Sequence, residues 1–123
     1  MNQGKLAAAG INVLEGLNRF NNNKMLYERF LYQFVDDQHY LQLCSALTEK
    51  DVEGAFQAAH VLKGVSGNLS LDRLHIALDP LVESLRASNM PDAETVITPV
   101  CNAYKEAMEA IKVDKLETEQ AGQ

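Results

Sequence analysis

One stretch, "AFQAAHVLKGVSGNLSL" at 55–71, places His60, Lys63, Gly64 and Gly67 within eight residues of what otherwise scans as a helix. A neutral imidazole is a competent nucleophile toward an activated phosphoryl group, and an ammonium at i+3 on a helix can reach the same ring and steady the incoming phosphate. Imidazoles in water titrate at about pH 6.5, so an exposed one is largely neutral at cytoplasmic pH. The two glycines need their own reason, because each costs roughly 0.5–1 kcal/mol in a helix interior relative to Ala.

Placing the residues at 100° intervals from Val52 puts Ala55, Ala58, Ala59, Leu62, Val65, Ser66 and Leu69 between about 220° and 340°, an arc that must face a core. His60 falls at about 80°, nearly opposite, with Lys63 at about 20°, Gly64 at about 120° and Gln57 at about 140°. His60 is therefore expected in water, with Lys63 curled toward its ring. Gly64 removes bulk from a face where bundle packing demands none, which reads as clearance for something large approaching the imidazole. Gly67 reads equally as clearance or as part of the helix end. Phe56 falls at about 40°.

The elements that must hold this face are helices throughout: apolar residues recur at spacings of three and four, and no alternating run persists. A short helix over about 11–20 carries Ile11, Leu14, Leu17 and Phe20, and "NNN" at 21–23 is loop chemistry. The next, over 24–36, carries Leu26, Phe30, Leu31, Phe34 and Val35, and a further stretch carries Tyr40, Leu41, Cys44 and Leu47. Thr48 and Asp51 resemble a capping box that starts the His60 helix, which ends at 68–70 with Gly67 and Asn68 as C-terminal cap residues. Asn68 or Ser70 can cap the following helix, whose Leu71, Leu74, Leu78, Leu81, Val82 and Leu85 form a heptad-like seam. After the turn "SNMPD" at 88–92, a last helix runs through Val96, Val100, Tyr104, Ala107 and Ile111, with Pro99 expected to kink or interrupt it. The polar segment 113–123 is expected to fray. The reading is a single all-α domain over 1–123, an antiparallel up-down four-helix bundle with one or two additional short N-terminal helices.

Composition narrows the partners. A net charge of −6 argues against nucleic acid, which would need clustered Lys and Arg. No run of 18 apolar residues and no signal peptide is visible, so no membrane insertion and a cytoplasmic location are expected. Cys44 and Cys101 lack C-x-x-C spacing and read as small hydrophobes. No exposed apolar seam demands a dimer, so a monomer is expected.

His60-Val61-Leu62-Lys63-Gly64, followed by Ser66, Gly67 and Leu69, resembles the signature of histidine-containing phosphotransfer (HPt) domains. "GINVLEGLNRF" at 10–20 and "LYERFLYQF" at 26–34 are similar to the N-terminal part of that family, so the resemblance covers about residues 10–112. It implies a phosphorelay intermediate in which His60 accepts a phosphoryl group on Nε2 from a receiver domain's phospho-aspartate. His60 then passes the group to an aspartate of another receiver, reversibly. The implied partners are response-regulator receiver domains and a hybrid sensor histidine kinase. The receiver supplies Mg²⁺ and catalysis, and the chain itself carries no cofactor, metal, kinase or nucleotide site. Carried over, Lys63 stabilises the phosphate and Gly64 clears the approach. A receiver would dock through apolar residues around His60, which Phe56 and Val61 flank, with Gln57 on the rim, although Phe56 reads as core edge in preference to docking. Many members hold the inner ring nitrogen with a Gln or Glu on the next helix. That spacing lands here on Val82, leaving Glu83, Asp79 or water for the role.

Two rival classes are weighed against this. Asp36 with His39 and Asp72 with His75 are carboxylate-x-x-His pairs of the kind that build metal sites in some bundles, although such sites normally use Glu with two further inward carboxylates. A non-catalytic scaffolding bundle would leave His60 incidental.

Overall fold

The computed structural model describes residues 1–122, which form seven α-helices joined by short connections: α1 Gln3–Ala8, α2 Val13–Arg19, α3 Lys24–Gln33, α4 His39–Thr48, α5 Val52–Asn68, α6 Asp72–Arg86 and α7 Met90–Ala121. A 3₁₀ turn, Phe34–Asp36, continues α3 toward α4. Five of these helices start the same way: Asn2, Asn12, Asn23, Asp51 and Asn89 each accept, on the side chain, the N–H three residues on. Such a cap stabilises a helix start by about 1 kcal/mol. The expected Thr48 capping box is not formed. Thr48 is the last residue of α4, where its hydroxyl donates to the Cys44 carbonyl, and Asp51 caps α5. Neither Asn68 nor Ser70 caps α6, whose N-cap position is Leu71.

Helices α4, α5, α6 and α7 pack in chain order. The connections are too short for anything but antiparallel neighbours. The fourth side is closed by α3 and α4 together, running antiparallel to α7. Tyr40 stacks on Tyr104 with ring centroids 3.8 Å apart, Phe34 meets the edge of Tyr104, and Lys50 pairs with Glu94. In that register Cys44 and Cys101 come together around the Tyr40 hydroxyl, both half-buried and free. The α6 seam is realised in full: Leu71, Leu74, Leu78, Leu81, Val82 and Leu85 are all buried.

The N-terminal helices brace the bundle. Asp114 of α7 accepts from the Asn2 N–H at 2.6 Å and from the Tyr32 hydroxyl at 2.5 Å, and Tyr32 also bonds Thr118 at 2.9 Å. Asp114 is buried, and these bonds satisfy its carboxylate. They also explain why residues 113–121 are helical instead of frayed: α7 extends past the bundle because α1 and α3 pack on its last turns. Gln123 lies outside the described residues. Nor does Pro99 interrupt α7, just as Pro80 does not interrupt α6. Pro80 and Pro99 are exposed, as are Ile76 and Thr95 four residues before them, so the carbonyl each proline leaves unpaired faces water. No helix among the described residues is long and apolar enough to cross a membrane.

Candidate functional site

Helix α5 presents its buried arc, Ala55, Ala58, Ala59, Leu62 and Ser66, to the bundle, and His60 stands exposed on the opposite face. The ring carries no hydrogen bond to a protein group among the described residues. Its orientation comes from an aromatic neighbour: Phe56, one turn earlier, lies nearly parallel to it at 5.7 Å between centroids and 22° between planes. Phe56 is in turn covered by the Arg86 guanidinium, 5.2 Å from its ring centre. Offset stacking and cation–π contacts of this kind contribute about 0.5–1.5 kcal/mol each. A column of Arg86, Phe56 and His60 thus bridges the end of α6 to the middle of α5.

This arrangement changes three expectations. Lys63 does not curl toward the imidazole; its Nζ lies 2.6 Å from Asp79 Oδ1 on α6. Asp79 thus pairs with Lys63, and Glu83 with Arg86 at 3.4 Å; neither makes a hydrogen bond to the His60 ring. Val82 is buried in the seam, as its position in the pattern requires. The ammonium beside Asp79 holds that carboxyl below the usual carboxylate range, through its hydrogen bond first and its charge second.

The two glycines separate. A Cβ built at Gly64 meets nothing within 4 Å, so nothing in the fold requires glycine there. At Gly67 a Cβ would lie 2.9 Å from Cε1 of His75, whose ring packs across α5 and whose Nδ1 lies 2.9 Å from the Lys63 carbonyl oxygen. Gly67 sits inside α5 and admits the neighbouring helix; it is not a cap residue. Gln57 and Val61 are exposed and line a groove between α4 and α5 that also includes Leu41, Gln42 and Ser45.

The metal alternative loses its pairs. His39 Nδ1 contacts both carboxylate oxygens of Asp37, at 3.0 and 3.1 Å, and not Asp36; His75 Nδ1 faces the Lys63 carbonyl of α5. Among the described residues no three His, Cys, Asp or Glu side chains converge on a point. Arg86 is what the sequence reading overlooked. It sits one turn beyond Val82, so the same spacing that exposed Val82 as apolar could have pointed to it.

An exposed histidine on a bundle helix, with an open flank, is what a phosphotransfer module presents to its partners. Residues 33–114 match the family profile described as Hpt domain, and the chain belongs to that family of histidine phosphotransfer modules, which work with receiver domains in phosphorelays. The match begins at Gln33, so α1, α2 and most of α3 lie outside it. No curated protein and no solved structure matches the chain.

Proposed function

We propose that this protein is a phosphorelay intermediate that carries the phosphoryl group on His60. The observation that supports it best is the exposed imidazole held flat against Phe56 with open space beside it at Gly64. The ring nitrogen Nε2 attacks the phosphorus of a receiver's aspartyl phosphate. The N–P bond forms as the P–O bond to the aspartate breaks, and the carboxylate leaves with the bonding pair. The Nδ1 proton stays in place, so the product is a phospho-imidazolium with a dianionic phosphoryl group, and the same path in reverse loads another receiver. Mg²⁺ and the acidic pocket belong to the receiver, and Lys63 is the nearby cation for the phosphoryl oxygens. The groove at Gln57 and Val61 gives the receiver apolar surface with a polar rim.

Incubation with a phosphorylated receiver, or with its kinase, ATP and Mg²⁺, should place an acid-labile, alkali-stable label on the protein. His60→Gln should remove that label while leaving the helical circular dichroism unchanged. Label that persists in the variant would show that another residue is the acceptor.

A further inference from the structure

The ion pair between Lys63 and Asp79 works against the chemistry proposed for this site. It crosses from α5 to α6, with Nζ 2.6 Å from Oδ1. The ammonium is the more enclosed partner, its side chain 28% exposed against 60% for Asp79. Below the pair, His75 of α6 packs against Gly67 and bonds the Lys63 carbonyl, so the backbone from which Lys63 projects is fixed to the helix that carries Asp79. Lys63 lies one turn from His60, within reach of a group on that ring. A phosphoryl group there brings a charge near −2 and three acceptor oxygens, enough to compete with a single exposed carboxylate.

Resting on the function proposed above, we infer that Asp79 is a positioning residue for Lys63. It holds the ammonium against α6 while His60 is empty and yields it to the phosphoryl group when His60 is loaded. Loading the histidine then requires breaking one pair as another forms, which limits how far Lys63 can stabilise the phosphorylated state. Asp79 thereby keeps the phosphohistidine a better donor, and the transfer closer to balance, than Lys63 alone would allow. The expected size is small, about two- to fivefold, because exposed ion pairs contribute little.

The experiment compares the wild-type chain with Asp79→Asn, Lys63→Ala and the double variant, each loaded from the same phosphorylated receiver. It reads the equilibrium fraction of phosphorylated protein and the lifetime of the purified phosphohistidine. Asp79→Asn should raise both about two- to fivefold where Lys63 is present, Asp79→Glu should restore wild-type values, and the Asn substitution should have no effect in the Lys63→Ala background. An equal gain in both backgrounds would mean that Asp79 acts only by repelling the phosphoryl group, and no gain in either would mean that the pair is inert; each result overturns the inference. His60→Gln run alongside separates the cases: label on that variant defeats the assignment of His60 itself, whatever Asp79 does.

Discussion

Gly64 and Gly67 lie one turn apart on α5, yet a Cβ added at the first meets no atom within 4 Å and one added at the second falls against the His75 ring. Gly64→Ala should therefore raise stability by about 0.5–1 kcal/mol, the ordinary gain from replacing a helical glycine. Gly67→Val should lower it by about 1–3 kcal/mol, because the ring must leave its place and its bond to the Lys63 carbonyl. Urea unfolding of the two variants checks the signs, and a stabilised Gly67→Val would show that His75 moves freely. Gly64→Leu should keep the fold and slow phosphoryl transfer; unchanged kinetics would remove clearance as the reason for glycine there. At this scale the sequence was legible in direction and illegible in partners. The 100° spacing placed His60 in water from local geometry alone. Lys63's partner lies sixteen residues away on another helix, and only the packing of α5 on α6 brings it close.

Three successive bundle helices end in the same turn. After α4, α5 and α6 a non-glycine residue turns left-handed, Lys50 at φ 59°, Ser70 at 57° and Ser88 at 56°. The next N–H bonds back in each case: Asp51 to Ala46, Leu71 to Ser66 and Asn89 to Ser84, each at 2.8 Å. This is the Schellman arrangement, for which glycine is the usual residue. The sequence pattern locates the end of α5 at about the right position but points to Gly67 and Asn68 as its cap residues. The misassignment has a physical cause, since Gly67 serves the approach of His75 and the strained position fell to a serine. Ser70 is also buried with no hydrogen-bond partner for its Oγ. Ser70→Gly relieves both costs and should stabilise the protein by about 1–2 kcal/mol. Thermal unfolding should show a midpoint higher by several degrees, and an unchanged or lower midpoint would mean that the hydroxyl is satisfied in solution.

Across the whole molecule, the bundle was readable because its helices carry strong apolar stripes and short connections. The bracing of α7 by α1 and α3 was not, since it depends on Asp114 and Tyr32 meeting over a separation of 82 residues. Tyrosines recur in such ties: Tyr27 donates to the Leu69 carbonyl at the end of α5, Tyr32 to Asp114, and Tyr40 stacks on Tyr104. Burial, as the leading cause, pushes the hydroxyl pKa of Tyr27, Tyr32, Tyr40 and Tyr104 above its ordinary value. Carboxylates reinforce the shift at Tyr27, Tyr32 and Tyr104, and Cys101 and Cys44 do so at Tyr40. These are all the tyrosines in the chain. In the unfolded chain they would ionise at about pH 10. Above that pH the folded state holds more protons than the unfolded one, so unfolding becomes easier as pH rises. Stability from this source is complete below about pH 10 and is lost progressively above it, through the raised folded-state values. Alkaline titration followed by phenolate absorbance and helical circular dichroism together should show one transition, in which the tyrosines ionise as the helices are lost. If the phenolates instead appear near pH ~10 while the helical signal holds, the tyrosines are open to water and the ties they make are not what braces α3 and α4 against α7.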